Sequence, residues 1–378
     1  MSGPLEGVRV VEFAGIGPGP FAAMVMSDLG ADVVSVERTA PAPNAPAPTD
    51  PIRRGRRSIA IDLKDPAGVD LARRLIDRTD ALVEGFRPGV MEHLGLGPAT
   101  CLERNPRLVY GRITGWGQDG PQAGAAGHDV NYIALAGVLF HIGSQGQPPT
   151  LPLNLVGDYG GGGMLLALGL IAGLFEAKVS GAGQVVDAAM VDGAALLATA
   201  LYGTVAESRW SNERGTNLLD GGAPPYGVYE TKDGEFVSVG AIERRFRAEL
   251  ERRTGLDPGE LDGLANRAAW PAMRARLRSL FLSRTRSEWC DLLEGTDACF
   301  APVLSAAEAP RHPHNRARAT FVDVAGVVQP APAPRFSRTP AAVRRGPVVS
   351  GRDTTEILAE LGIADDEISR LRHSGGVA

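Results

Sequence analysis

Short apolar runs alternate with amphipathic runs through the first half of this chain of 378 residues. Runs rich in Val, Ile and Leu predict five strands, over residues 8–13, 31–38, 57–63, 81–86 and 107–113. Between them apolar residues recur at helical spacing, as in residues 65–78, where Pro66 takes a favoured first-turn position. Strands that alternate with helices predict a largely parallel sheet covered on both faces, and hence an α/β fold.

The pattern changes after residue 160. Two apolar helices flank a strand at GQVVD, and a polar, Gly-rich linker is predicted over residues 207–225. A hairpin over residues 226–240 and helices near 244–253, 270–282 and 287–294 predict a smaller α+β segment. A Pro-rich linker over residues 329–340 precedes a final predicted helix over 354–361, which ends at Gly362.

Composition argues against several classes of protein. Lys and Arg number 39 against 44 Asp and Glu, and a net charge of −5 does not suit a protein that binds nucleic acid over a wide face. The three cysteines form no CxxC pair, which argues against a disulfide scaffold or structural zinc and favours a reducing compartment, here the cytoplasm. His312 and His314 stand in a Pro-flanked segment that predicts a loop, so no metal site is expected.

We expect no membrane partner. The most apolar run, residues 164–175, is shorter than the about 20 residues that a transmembrane helix needs, so we interpret it as a buried helix. Glu6 and the lack of a long apolar stretch near the N-terminus do not fit a signal peptide.

The loop GIGPGP follows the first predicted strand and precedes a helix. It is superficially similar to the dinucleotide fingerprint GxGxxG, but its glycines fall at positions 15, 17 and 19. Pro18 and Pro20 also remove two backbone donors that a pyrophosphate would need. We therefore interpret the loop as a tight strand-to-helix turn.

Positive charge is concentrated near the predicted strand ends. The cluster RRGRR at residues 53–57 fits either a solvated loop or a phosphate site, because arginine binds phosphate oxygens in a bidentate way. Arg38 lies at the carboxyl end of one predicted strand, and Lys64 and Arg87 directly follow two others. Ligands of open α/β sheets bind at the carboxyl ends of the strands, so these three cations favour an anionic ligand with several phosphates.

Three segments carry candidate acid–base groups. His128 lies beside Asp129 at a predicted helix start, Asp158 precedes four glycines and an apolar helix, and Glu243 follows a predicted strand. Each could simply be a helix cap or a surface residue. For Asp158 the glycines also permit close approach of a ligand, and a carboxylate there could act as a base or a nucleophile.

Ordered blocks that run through essentially the whole chain carry a family resemblance. They include LEGVRVVEFAGIGPGPF, RRSIAIDLKDPAG, LVEGFRPGVMEHLGLGP, TGWGQDGP, AGHDVNYIALAGVL, NLVGDYGGGGM, GAGQVVDAAMVDG, LDGGAPPYGVYE, FVSVGAIE and PAPRFSRTP. Together they resemble the family III (CaiB/BaiF) CoA transferases, and within them the α-methylacyl-CoA racemase branch. Asp158 matches a position that transferases and racemases share, whereas His128 and Glu243 match positions specific to the racemases.

The resemblance implies an interlocked homodimer of chains with a large Rossmann-like domain and a smaller α+β domain. It places the N-terminal part of the large domain in residues 1–206, a linker in 207–225 and the small domain in 226–328. Residues 329–378 form the return linker and the C-terminal part of the large domain. Glu243 would reach His128 across the dimer interface.

The resemblance also implies which residues hold CoA on the large domain. Arg54 would be a further phosphate contact. The adenine–phosphate end would be held by Arg38, Ile61, Asp62, Leu63, Lys64, Gly85, Phe86 and Arg87. The thioester end would be lined by the segment that contains Gly127, Asp129, Val130, Asn131 and Tyr132.

The activity implied by the resemblance is interconversion of (2R)- and (2S)-2-methylacyl-CoA thioesters by 1,1-proton transfer. His128, paired with Glu243, would serve one face of the α-carbon, and Asp158 would serve the other. Backbone N–H groups near Asp158 and in the glycines after it would hold the enolate oxygen. No cofactor is expected, since CoA is part of the substrate.

Two other functions remain open. In a CoA transferase, Asp158 would attack as a nucleophile and form an acyl anhydride, with no need of His128 or Glu243. In a non-catalytic CoA-binding protein, Asp158 and His128 would serve only as helix caps.

Two positions depart from the family pattern. His93 stands in VMEHLGLG where an arginine is common, which would weaken one phosphate contact or make it depend on pH. The helix after VDG reads AALLATALYGTV and lacks the methionines that racemases often present to the acyl chain.

Overall fold

A computed structural model describes residues 3–40 and 49–378 of the chain. The chain divides into two compact units. The first unit comprises Met1–Ala136, Leu153–Ala198 and Ala319–Ala378, and the second comprises Gly137–Pro152 and Thr199–Arg318. The second unit therefore begins at residue 199 and takes in an earlier segment, whereas the sequence suggested a large domain that continues to residue 206.

The first unit is built on a six-stranded parallel sheet. Its strands are β1 (Arg9–Phe13), β2 (Asp32–Glu37), β3 (Arg57–Ala60), β4 (Ala81–Glu84), β5 (Val109–Thr114) and β6 (Gln184–Ala189). They lie in the order β3-β2-β1-β4-β5-β6, which is the doubly wound Rossmann order. The α/β prediction is confirmed, and the direction of the strand order reverses between β1 and β4, where such folds bind ligands.

Helices cover both faces of this sheet. In chain order they are α1 (Pro18–Asp28), α2 (Pro66–Ile76), α3 (Val90–His93), α4 (Pro98–Arg104), α5 (Asp129–Leu135), a π-helix (Leu155–Met164) that continues into α6 (Leu165–Ser180), and α7 (Met190–Leu197). Helix α2 begins as its sequence predicts. Asp65 accepts a hydrogen bond from the Ala67 amide at 3.0 Å, and Pro66 needs no intrahelical partner.

Alternation along each strand sends successive side chains to two separate cores. Val11 and Phe13 of β1 pack with α2 on one face, while Val10 packs with α1 and α6 on the other. This period of two is what a sheet buried on both faces requires.

The continuous helix Leu155–Ser180 is longer than the sequence suggested. It has 26 residues, and an 18-residue stretch of it reaches a mean hydropathy of 1.6, so by length and composition it could cross a membrane. The expectation that this apolar run is too short is wrong, because the helix begins at Leu155. Leu166 and Leu170 are nevertheless buried in the sheet's core, whereas 39% of the 18-residue apolar stretch as a whole is buried.

The second unit is a small α+β assembly. Helix α8 (Thr199–Ala206) precedes an antiparallel sheet of β7 (Tyr226–Glu230), β8 (Phe236–Gly240) and β9 (Phe300–Pro302), in the order β7-β8-β9. The remaining helices are α9 (Arg244–Thr254), α10 (Trp270–Phe281), α11 (Arg286–Leu293) and α12 (Pro313–Ala317). Tyr229, Phe281 and Trp289 form the centre of its core.

The end of the chain completes the first unit. It forms a hairpin of β10 (Phe321–Val324) and β11 (Val327–Pro330), followed by α13 (Thr354–Glu360) and α14 (Asp365–Ser374). Asp353 accepts a hydrogen bond from the Ser58 amide at 2.9 Å and so covers the outer edge of β3. Helix α13 was predicted, but it is not the final helix, since α14 follows it.

Candidate active site

The turn after β1 faces a carboxylate that the sequence singled out. Gly17 precedes α1 with φ +69°, a conformation that favours glycine. A Cβ atom on Gly17 would lie 3.6 Å from Oδ2 of Asp158. Gly17 therefore belongs to the site, which the tight-turn interpretation of GIGPGP did not include.

Asp158 lies in the first turn of the π-helix rather than at its cap. Its side chain is half-buried, and the Asn154 amide donates a hydrogen bond to Oδ2 at 3.1 Å. Burial raises the pKa of Asp158, and this outweighs the lowering effect of the Asn154 hydrogen bond. The negative charge of Asp129 raises that pKa further, whereas His128 lowers it. The charge of His128 therefore favours the ionised form of Asp158.

Asp129 joins the two segments that carry these groups. Its Oδ2 accepts hydrogen bonds from the amides of Gly157 and Asp158, both at 2.7 Å. His128 directly precedes it at the start of α5, is exposed, and donates its own amide hydrogen to Oδ1 of Asn131 at 3.0 Å. The sequence grouped these positions without indicating this connection.

The expected oxyanion donors near Asp158 are already engaged or enclosed. The Gly157 and Asp158 amides donate to Asp129, and the next glycines lie inside the π-helix. Gly162 and Gly163 pack so tightly on α1 that a Cβ atom on either would come within 3.1 Å of Pro18. These glycines therefore serve helix packing, and the expectation that their backbone meets a ligand is not supported.

Glu243, the third expected catalytic group, lies in the second unit. It precedes α9, and its side chain is exposed. No hydrogen bond or ion pair within residues 3–40 and 49–378 engages its carboxylate. Burial raises the pKa of the Cys299 thiol, and the charge of Glu243 raises it further. The pairing of Glu243 with His128 remains a prediction.

Three exposed cations lie at the carboxyl ends of strands on both sides of β1. Arg38 follows β2, Lys64 follows β3 and Arg87 follows β4, and all three side chains are exposed. None of them makes a side-chain ion pair or hydrogen bond in the part of the chain that the structure describes. This edge of the sheet therefore presents unpaired positive charge beside the turn that holds Gly17.

The arginines of RRGRR are not free in this way, since each pairs with a carboxylate of the first unit. Arg53 pairs with Glu37, Arg56 with Glu12, and Arg57 with Asp32 and Glu360. Arg54 is buried at 3% exposure and donates to Asp28, to Gln329 and to the Pro330 carbonyl. This pairing argues against the phosphate contact expected of Arg54, and the cluster is structural.

Backbone rather than side-chain atoms of the segment after β3 could face a ligand. The Ile61 side chain belongs to the core, and Ile61 forms an isolated β-bridge with Val377. Oδ1 of Asp62 accepts from the Lys64 amide at 3.0 Å, and Leu63 is half-buried.

In the segment after β4, the glycine is accessible to solvent. Gly85 is exposed, and the Phe86 amide donates to Glu84 at 2.8 Å. His93, at the end of α3, is also exposed.

The residues expected to line the thioester end differ in their exposure to solvent. Val130 and Asn131 are exposed on α5, whereas Tyr132 is buried with its ring 4.8 Å from that of Trp116. Gly127 packs on the same two rings, since a Cβ atom there would lie 2.7 Å from Tyr132. Burial raises the pKa of Tyr132, and the charges of Asp158 and Asp129 add to that effect.

No group of three or more His, Cys, Asp or Glu side chains that could hold a metal ion occurs among the residues described. The expectation of no cofactor remains a prediction.

Comparison with known proteins agrees with the fold and the motifs. The sequence profile of CoA-transferase family III matches residues 5–354. The chain is similar to α-methylacyl-CoA racemase of Mus musculus, at 48% identity over 97% of this chain and 96% of that protein. The racemase of Homo sapiens is 46% identical over the same shares. A CaiB/BaiF family protein from Brucella suis superposes with a TM-score of 0.81 at 25% identity, covering 96% of this chain and 100% of that one.

The match to the family profile spans both units of the chain. The chain belongs to CoA-transferase family III.

Proposed function

We propose that this chain is an α-methylacyl-CoA racemase that interconverts the two configurations of a 2-methylacyl-CoA thioester. The observation that carries the proposal is the hydrogen bond from the Asp158 amide to Asp129, the residue next to His128, beside the turn that holds Gly17. The racemases of mouse and human, similar to this chain over nearly its full length, support the same activity.

Two bases invert a stereocentre without a change in oxidation state. One of His128 and Asp158 removes the α-proton, the electron pair moves into the thioester as an enolate, and the other group delivers a proton to the opposite face. Each group ends in the protonation state in which the other began, so the pair also runs the reverse reaction. The scheme uses no redox cofactor and no metal.

The raised pKa of Asp158 suits this role. A carboxyl group with an ordinary pKa is almost wholly ionised at neutral pH and is a poor proton donor. Burial of Asp158 brings its pKa closer to the working pH, where one group serves both as acid and as base.

The enolate oxygen needs donors other than the amides that Asp129 engages. The amides of Asp129 and Val130 begin α5 beside His128, and no hydrogen bond in the described part of the chain engages them. We assign the thioester oxygen to these two amides, because the first amides of a helix have no carbonyl partner within it.

The CoA moiety would lie along the carboxyl edge of the sheet. Arg38, Lys64 and Arg87 are exposed and unpaired in the described chain, and a CoA ester carries phosphate charges that suit such cations. Gly85 leaves room for the backbone to approach the ligand.

Completion of the site would need a second copy of the chain. Met164, Leu168, Phe175 and Val179 form one exposed apolar stripe on the long helix of the first unit. Such a stripe suits a homodimer interface. In that dimer, Glu243 of one chain would support His128 of the other, as the family resemblance implies.

Single variants test the two-base scheme. His128→Ala should abolish α-proton exchange from at least one enantiomer, and Asp158→Ala should do the same. A CoA transferase that uses Asp158 as a nucleophile would tolerate His128→Ala. Unchanged exchange in Asp158→Ala would rule out the scheme.

A further inference from the structure

We propose that Asp129 is a positioning residue that holds Asp158 in place relative to His128. This inference rests on the proposed function and deepens it, because the separation of the two bases decides whether both can reach one carbon atom. The sequence placed Asp129 among the CoA contacts, whereas its carboxylate points into the protein.

The connection between the two groups is short. The peptide bond joins Asp129 to His128, and Oδ2 of Asp129 accepts from the Asp158 amide at 2.7 Å. The same oxygen accepts from the Gly157 amide at 2.7 Å, so two successive amides in the first turn of the π-helix converge on one atom. A shift of α5 would therefore move both bases together.

The burial of Asp129 indicates that this contact is built into the fold. The residue is 6% exposed, and Oδ1 is buried without a hydrogen-bond partner among the residues described. Leaving a buried carboxylate oxygen unpaired is costly, and an asparagine could accept the same two amide hydrogens. A negative charge maintained at that cost suits a group that acts electrostatically on its neighbour.

Gly157 supports the same conclusion. A Cβ atom at this position would lie 2.6 Å from Oδ2 of Asp129, closer than nonbonded atoms can approach. Any larger residue would displace the carboxylate, so the glycine before Asp158 preserves the contact.

The groups that face Asp158 define what the charge of Asp129 can do. They are Asn154, which donates a hydrogen bond, His128, and the buried phenol of Tyr132. Asp129 also acts on Asp158 and is the one anion that does so among the residues described, so its removal should lower the pKa of Asp158.

The test compares three variants of the full chain. Asp129→Asn keeps an acceptor oxygen but removes the charge, and Asp129→Ala removes both. Asp80→Asn is the matched control, because Asp80 accepts the Arg9 amide at 2.8 Å at the opposite, amino end of the sheet. The readouts are kcat and KM for both enantiomers across pH, and the Asp158 pKa from carboxyl carbon NMR.

We expect Asp129→Asn to lower kcat by about tenfold or more with KM within about twofold, and Asp129→Ala to lower it further. In the direction in which Asp158 acts as the base, the acidic limb of Asp129→Asn should move to lower pH. Asp80→Asn should match the wild type in all respects.

Three results would overturn the inference. They are kinetics of Asp129→Asn equal to those of the wild type, a rise in KM at constant kcat, which would mark a CoA contact, and an unchanged Asp158 pKa. If Asp129→Ala fails to fold, Asp129→Asn decides. If the wild type shows no α-proton exchange, the proposed function fails, yet the NMR comparison still tests the placement of Asp129.

Discussion

Arginines of the first unit serve two purposes. In some, the guanidinium pairs with a carboxylate of the same unit, and in others it is exposed to solvent at the end of a strand. Arg54 is enclosed with Asp28, and burial raises the pKa of that carboxyl against the opposing effect of the arginine. Arg87 is exposed and free of ion pairs in the described chain. The first kind holds the fold together, and the second is available to phosphate.

This division predicts opposite effects for two alanine variants. Arg54→Ala should lower the free energy of unfolding by about 3–5 kcal/mol, because it leaves the Asp28 charge buried without a partner. Arg87→Ala should change stability by less than about 0.5 kcal/mol and raise KM for the CoA thioester about tenfold. Urea unfolding and initial rates measure both, and a stable Arg54→Ala with a raised KM would contradict the assignment.

The hydrogen bond from Asn154 lowers the pKa of Asp158. Because the bond stabilises the ionised carboxylate, Asn154→Ala should raise that pKa further. In the direction in which Asp158 is the base, the acidic limb of the kcat profile should then move to higher pH. Asn315→Ala, which removes a 2.8 Å bond to the Ala309 carbonyl, is the control. A shift to lower pH would contradict this role.

At the residue scale, the sequence indicated which residues are candidates for the site better than it indicated which residues contact one another. His128, Asp158 and the cations at the strand ends stand in local motifs, which one sequence can display. The contact of Arg54 with Gln329 joins residues 275 positions apart, and no local pattern reveals it. The place of Gly17 in the site also depends on the fold, since its Cβ position lies 3.6 Å from Oδ2 of Asp158, a residue distant in sequence.

At the scale of elements, the glycines around the π-helix explain how three helices pack closely behind Asp158. A Cβ atom on Gly193 of α7 would lie 1.9 Å from the Gly161 carbonyl oxygen. Backbone therefore meets backbone at this crossing. Because Asp158 lies one turn away, this packing also restrains the backbone that carries its carboxylate.

A matched pair of glycine variants tests this packing. Gly193→Ala should destabilise the protein by roughly 1–3 kcal/mol, because the added methyl group has no room. Gly203 of α8 has nothing within 4 Å of its Cβ position, so Gly203→Ala should be neutral or stabilising by up to about 1 kcal/mol. Equal urea midpoints for Gly193→Ala and the wild type would exclude the close crossing.

Elements with strong periodicity were predicted, and those without it were missed. The five early strands and α2 follow their apolar spacing, although β3 ends at Ala60 rather than residue 63. The start of the π-helix was hidden by glycines, which ordinarily argue against a helix. Helix α14 is mostly polar and packs only Ile368 fully into the core, so its pattern carries little signal.

At the scale of the whole molecule, the α/β class followed from the order of strands and helices. The division into units was less accessible, because residues 137–152 join the second unit through contacts distant in sequence. Arg214 donates to the Phe140 and Gln147 carbonyls, and Trp210 donates to His141 at 3.2 Å. Such contacts depend on three-dimensional placement rather than on composition.

The exposed apolar stripe on the long helix offers a test of the proposed homodimer. Phe175 and Val179 are 71% and 76% exposed, one helical turn apart. If the proposed homodimer forms through this stripe, Phe175→Asp together with Val179→Asp should shift the protein toward a monomer and lower activity, because the proposed pairing of Glu243 with His128 would be lost. Sedimentation velocity checks this, with Leu282→Asp at the end of α10 as a control. A doubly substituted protein that remained a fully active dimer would exclude this interface.

The proposed racemase activity is tested most directly by incubating the protein with one enantiomer of a 2-methylacyl-CoA in deuterated water. Proton NMR and chiral analysis then follow the α-carbon. We expect deuterium to enter the α-position while both configurations appear. An unchanged α-proton and configuration, with CoA moving to an added free carboxylate, would contradict the racemase and identify a CoA transferase instead.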